Sequence, residues 1–194
     1  ELEAIKNYKP SEKYNELNVK YQEVVAKIEE YKTERLSDEK TAQLLQTELN
    51  QLNEILGKTD VVGEGIVIQL TDMEGTEISD DLTVKTISTE DLLIIINELY
   101  SAGAEAISIN GHRIVSSSSI FSINDEFIKV NGERILSPYI INAIGNPDYL
   151  KSAVSGKGGY VDTLKELGHQ TSVDINKKIK IDKYEKDINT KYID

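Results

Sequence analysis

Apolar residues return every seven positions from Tyr14 to Leu56, six heptads with no slip in register. The a positions are Tyr14, Tyr21, Ile28, Arg35, Ala42, Leu49 and Leu56, and the d positions are Leu17, Val24, Tyr31, Asp38, Leu45 and Leu52. A stripe of that period cannot bury itself on a lone helix, so it demands another helix. The spacing predicts one long N-terminal coiled-coil helix that self-associates, as a parallel dimer, through its apolar a and d residues. Such a helix spans roughly 60 Å at 1.5 Å per residue. Arg35 and Asp38 would weaken the seam locally while fixing its register. The same pattern leaves open an antiparallel hairpin turning at Leu36-Ser37-Asp38, with Ser37 capping the second helix. Before the seam, Leu2–Lys9 reads as a frayed leader broken by Pro10, and Ser11 is an N-cap candidate with Glu12 in the first turn. Gly57 ends the helix.

The centre of the remaining chain is Glu90–Arg113. Leu92, Leu93, Ile95, Ile96 and Leu99 recur at helical spacing, with Thr89 as the cap candidate and Ser88 beside it. Ser101-Ala102-Gly103 stops that helix, because glycine tolerates the left-handed conformation after a helix end. Ala106, Ile107 and Ile109 then form a short strand closed by Asn110-Gly111, a strong turn dipeptide.

Strands are also predicted over Val61–Asp72, where Ile66, Ile68 and Leu70 share one face, and over Tyr139–Ile144. Phe127–Val130 and Arg134–Leu136 flank Asn131-Gly132 as a hairpin. Asn146-Pro147-Asp148 starts a short helix carrying Tyr149, Leu150 and Val154. A second helical piece, Tyr160–Leu167, ends at Gly168, and alternation at Thr171, Val173 and Ile175 marks a final strand extending through Ile179 and Ile181. The organisation is thus a coiled-coil helix over 1–58, an α+β domain over 59–182 and a frayed charged tail over 183–194.

Composition removes several function classes. A net charge of −12 disfavours nucleic acid, whose phosphates require a basic face, and anionic lipid likewise. No window of about 18 apolar residues offers a membrane span. Without cysteine there are no disulfides, thiolate nucleophiles or Cys-zinc sites. The chain begins at Glu1, which fits either a trimmed chain or an anchor or signal lying upstream.

Candidate sites are few. In Gly156-Lys157-Gly158-Gly159, glycine amides and a helix start could converge on an anion, with Lys157 adding charge and Arg113 as a further cation. The competing reading of those glycines is a plain hinge, and Walker spacing is absent. Gly63-Glu64-Gly65 reads as a tight strand entry, since no dinucleotide fingerprint follows. The acidic stretch Met73–Thr86 lacks EF-hand spacing and reads as a solvated loop. Ser116–Ser119 has no G-x-S-x-G context, and His112 and His169 sit in different elements, a weak basis for metal or a catalytic base. No catalytic, cofactor-binding or metal-ligating residue is therefore assigned, and no cofactor is expected.

In order, the domain runs strand–helix–strand, hairpin, strand–helix–strand, the ferredoxin-like (split βαβ) order with an inserted hairpin. Several runs carry a resemblance: Gly63-Glu64-Gly65-Ile66-Val67, Ala102-Gly103-Ala104-Glu105-Ala106-Ile107-Ser108-Ile109-Asn110-Gly111, Val130-Asn131-Gly132, Pro138-Tyr139, Ala143-Ile144-Gly145-Asn146-Pro147 and Gly158-Gly159. Together they resemble the YlxW/YlxX family of bacterial proteins, a domain family of unknown function, over roughly Val61–Ile181. Glu64 stands where that family often has Pro, and His112 where Gln is common. The resemblance implies an N-terminal membrane anchor, a coiled coil and a domain on the extracytoplasmic face of the cell membrane, encoded near cell-division genes. It supplies no catalytic residues. The expectation is a non-enzymatic envelope protein whose coil presents a protein-interaction domain to envelope or division proteins; the rival is a small-ligand or anion-sensing module near Lys157, Gly158, Gly159 and Arg113.

Overall fold

The computed structural model describes residues 10–33, 39–72, 86–123 and 127–186. The chain divides into two units. One holds the N-terminal helices with Val115–Ser117; the other runs from Asp60 to Tyr184 without that segment.

The first unit corrects the expected single helix. Its helices are α1 (Pro10–Thr33) and α2 (Glu39–Ile55). Lys20 Nζ lies 3.6 Å from a Glu48 carboxylate oxygen. On one continuous helix those residues would stand about 42 Å apart. The ammonium of Lys58 sits 4.5 Å over the Tyr21 ring, which likewise brings the far ends of the heptad run together. The helices therefore pack as an antiparallel pair, and the stripe finds its second helix within the chain. Val24, Leu52 and Leu56 are buried and Tyr21, Ile28, Leu45 and Leu49 half-buried, whereas Ala42 is exposed. Tyr14, Leu17 and Tyr31 lie on α1. Arg35, Asp38 and the Leu36-Ser37-Asp38 turn fall outside the described residues, as do Leu2–Lys9, Met73–Lys85 and the tail beyond Lys186. The expected 60 Å reach shortens to about 36 Å, the length of α1 at 1.5 Å per residue.

The second unit is mixed α+β with antiparallel sheets. Its elements are β1 (Val61–Thr71), α3 (Thr89–Ser101), β2 (Ala106–Ile109), β3 (His112–Ile114), β4 (Ile120–Ile123), β5 (Phe127–Val130), β6 (Glu133–Ile135), β7 (Tyr139–Ile144), α4 (Pro147–Ser155), α5 (Tyr160–Glu166) and β8 (Gln170–Ile181). Five strands form one sheet in the order β3-β2-β7-β1-β8; three form another, β4-β5-β6. The expected hairpin is β5–β6, and β4, which the pattern did not announce, adds a third strand to it.

Side chains alternate across a strand, and the five-stranded sheet separates accordingly. Ile66, Ile68, Leu70, Ile107, Ile109, Ile141 and Ala143 share a core with Leu92, Ile95, Ile96 and Leu99 of α3, Leu150 and Val154 of α4, and Val161 and Leu164 of α5. Ala106 and Ile144 project the other way into a small cluster with Ile179 and Ile181. Alternation places Ser108 and Arg113, paired across β2 and β3, on that second face too.

Local chemistry explains the turns and ends. Ser88, not Thr89, caps α3 in a reciprocal box: its hydroxyl accepts from the Asp91 amide while the Asp91 carboxylate accepts from the Ser88 amide. Asn110-Gly111 and Asn131-Gly132 carry positive φ at both residues, the twist that a two-residue hairpin needs. On β1, Gly65 answers to close approach, since a Cβ there would lie 1.9 Å from the Ala143 carbonyl oxygen of β7.

Candidate functional site

The glycine turn between α4 and α5 is the strongest site suggested by the sequence, and its geometry is that of a packed joint. The Gly156 amide closes α4 by donating to the Ser152 carbonyl, and the Gly159 amide donates to the Gly156 carbonyl. Gly158 adopts a φ of +93°. A Cβ on Gly159 would stand 2.5 Å from the Val154 carbonyl group. These glycines let α5 start directly against the end of α4.

The first amide of α5 has an anionic partner within the chain. Tyr160 N–H points at both carboxylate oxygens of Glu98 on α3, 3.1 Å from each. The Tyr160 hydroxyl donates to Asp91 Oδ1 at 2.7 Å, while Asp91 Oδ2 accepts from the Ser88 amide and hydroxyl. Two carboxylates of α3 thus clamp the start of α5, where helix polarity favours negative charge. Burial raises the Glu98 carboxyl above its usual range, partly offset by the Tyr160 amide. The bond to Asp91, then burial, pushes the Tyr160 hydroxyl up to about 12.

Lys157 is exposed in the turn, whereas Arg113 is only 4% exposed. The Arg113 Nη1 is buried without a hydrogen-bond partner among the described residues. Burial lowers the guanidinium's pKa, with Tyr100 and Asp60 acting in the opposite direction. Arg113 projects from the sheet face opposite α4 and α5, so it does not converge with Lys157, Gly158 and Gly159.

Two of the serine candidates have structural partners. Ser118 donates its hydroxyl to the Arg113 carbonyl, and the Ser119 amide donates to Asn131 Oδ1. His112 is half-buried on β3; His169 is buried after α5, its amide bound to the Leu164 carbonyl and its Nδ1 without a partner among the described residues. Among the described residues, no group of three or more His, Cys, Asp or Glu is placed to hold a metal ion, and no helix is long and apolar enough to cross a membrane.

Two relationships are not legible in the sequence. Glu98 and Tyr160, 62 residues apart, carry no local signal of their pairing. Asn110 is expected as a turn former, and its amide nitrogen also donates to the Leu136 and Pro138 carbonyls while its oxygen accepts from the Ile140 amide. That side chain ties the β2–β3 turn to the entry of β7.

Residues 48–194 match the family described as "Bacterial protein of unknown function (DUF881)". The chain belongs to this family. Among DUF881 relatives, UPF0749 protein YlxX of Bacillus subtilis is 35% identical over 118 residues, 59% of this chain and 48% of YlxX. UPF0749 protein YlxW of the same organism is 28% identical over 109 residues, 56% of this chain and 47% of YlxW. The chain therefore spans about half the length of these curated relatives. A crystal structure of an uncharacterized conserved protein from Mycobacterium tuberculosis superposes with a TM-score of 0.62 at 26% identity, covering 75% of this chain and 96% of that one. This DUF881 chain thus shares its fold with a solved mycobacterial protein, and the YlxW/YlxX resemblance read from its motifs holds.

Proposed function

We propose that this chain is a non-enzymatic protein-interaction module of the bacterial envelope, its body built on a split βαβ, ferredoxin-like plan. The order β2-β7-β1-β8, antiparallel throughout, supports that plan, with α3 linking β1 to β2 and α4–α5 linking β7 to β8. The observation carrying the functional reading is the Glu98–Tyr160 clamp. The turn whose sequence suggests ligand chemistry has its lead amide engaged by the chain's own carboxylate, which supports a packed joint there over a ligand site. The envelope setting and the link to cell division rest on the family resemblance.

Photocrosslinking in living bacteria from Tyr149 (69% exposed) and Leu136 (54% exposed), with mass spectrometry of the adducts, tests the reading. One envelope or division protein captured reproducibly supports it; adducts from neither position, or only with cytoplasmic enzymes, overturn it. A second reading, anion sensing, is favoured by the buried Nη1 of Arg113, without a partner among the described residues. Calorimetric titration with inorganic phosphate separates the two. Binding that is kept in Lys157→Glu and lost in Arg113→Lys favours the second; no heat at any concentration removes it.

A further inference from the structure

The five-stranded sheet has two edges, β3 and β8, and they are built differently. β3 is three residues long, and its Arg113 carbonyl already accepts from Asn131 Nδ2 at 2.9 Å and from the Ser118 hydroxyl at 3.4 Å. β8 is 12 residues long, and among the described residues β1 is the one strand that pairs with it. A strand edge of that length with no second strand on it among the described residues is a template for another strand.

The two halves of β8 differ as well. Beyond Asn176 the ladder with β1 is interrupted opposite Gly63 and Gly65, and Lys177, Lys178 and Lys180 follow. Irregular pairing and lysines are the devices by which sheet edges repel further strands. From Gln170 to Asn176 the ladder is regular and carries no lysine or proline. There Thr171, Val173 and Ile175 line the helix-covered face; all three are β-branched, and Ile175 is 48% exposed. Gln170, Ser172, Asp174 and Asn176 line the other.

We infer that the Gln170–Asn176 segment of β8 pairs antiparallel with the same segment of a second copy of this chain, about a two-fold axis at Val173. In such a pair, residues directly opposite one another must lie on the same face, because side chains alternate with a period of two. The axis therefore passes through a residue, and few choices remain. At Asp174 the axis sets two carboxylates against each other, which is destabilising. At Ile175 it sets Lys177 opposite Val173 and runs into the interrupted half of the ladder. At Ser172 it pairs only five residues. At Val173 all seven residues pair. Val173 then meets its copy, Ile175 meets Thr171, Gln170 meets Asn176, and the Ser172 hydroxyl faces the Asp174 carboxylate as a donor. No like charges stand opposite. This inference is independent of the envelope role.

The test uses the full chain in analytical ultracentrifugation, with circular dichroism and melting to verify folding. The expected result is a concentration-dependent dimer at tens of micromolar. Ser172→Asp, at an exposed position, sets carboxylates opposite Asp174 twice per dimer and weakens association by about tenfold or more. Adding Asp174→Lys in the same chain turns both contacts into opposite-charge pairs and restores the dimer. A chain that stays monomeric, a dimer indifferent to Ser172→Asp, or a double variant that fails to recover overturns the inference.

Discussion

Tyr160 donates its backbone N–H to both oxygens of the Glu98 carboxylate, 3.1 Å from each, across the contact between α3 and α5. That one amide converts a promising ligand turn into an internal joint, and it sets the first prediction. Removing the acceptor with Glu98→Ala strands a part-buried donor and costs about 1–3 kcal/mol. Glu98→Gln keeps an acceptor oxygen without the charge, and at neutral pH its stability stays close to that of the parent. Because burial raises the Glu98 pKa, the folded chain holds that proton more tightly than the unfolded chain. Its contribution is therefore present in acid and is lost as pH rises through the folded value. Urea unfolding from about pH 4 to 7 should show that slope in the parent and a flatter curve in Glu98→Gln.

The Tyr160 hydroxyl provides a second titration at the alkaline end. Its value is pushed from 10.0 to about 12, so its stabilisation is complete below 10.0 and disappears as pH rises through about 12. Tyr160→Phe removes the 2.7 Å bond to Asp91 and costs about 1.5–3 kcal/mol near neutrality, as expected for a hydrogen bond to a charged group. The difference between parent and variant should narrow in alkaline denaturation. A constant difference across that range would place the effect elsewhere.

Two glycines should respond in different ways to the same methyl group. Gly65→Ala drives a Cβ into the Ala143 carbonyl oxygen, 1.9 Å away. Because backbone must move, the cost reaches or exceeds about 3 kcal/mol, the upper range for overpacking. Gly111→Ala meets nothing within 4 Å but sits at a φ of +86°, so it costs only about 1–2 kcal/mol of conformational strain. Thermal melts of the two variants rank them directly.

Asn110 binds three backbone groups of the stretch 136–140 with one side chain. Asn110→Ala should lose about 2–3 kcal/mol, from several partly exposed bonds at roughly 1 kcal/mol each. Hydrogen exchange should accelerate at the Ile140 amide, which loses its acceptor. Asn110→Asp keeps that acceptor and should protect Ile140 while losing the bonds to Leu136 and Pro138.

Much of the second unit could be read from local chemistry. The Asn110-Gly111 and Asn131-Gly132 hairpins, the Pro147 helix start and the Val61–Thr71 strand depend on residues adjacent in sequence, where turn and capping preferences act. The heptad run leaves both a self-associating helix and a hairpin open, because a hairpin that packs its own a and d positions has the same seven-residue period as a two-chain coil. Only Arg35 and Asp38, mid-run, marked the interruption. Strand β4 carried too little alternation in Ile120-Phe121-Ser122-Ile123 to stand out, and its formation depends on pairing with β5. The Ser88 cap was obscured by Thr89, an equally competent neighbour; the deciding feature is Asp91, three residues beyond Ser88. The clamp of α3 on α5 was invisible because no periodicity connects Glu98 with Tyr160.

The Arg113 carbonyl, closed off by Asn131 and Ser118, occupies the β3 edge of the five-stranded sheet. If β8 pairs as inferred, addition to the five-stranded sheet is confined to the opposite side, and two such sheets meeting there leave neither with a long vacant border. Growth by strand addition is then self-terminating, a closed pair in place of an endless ribbon.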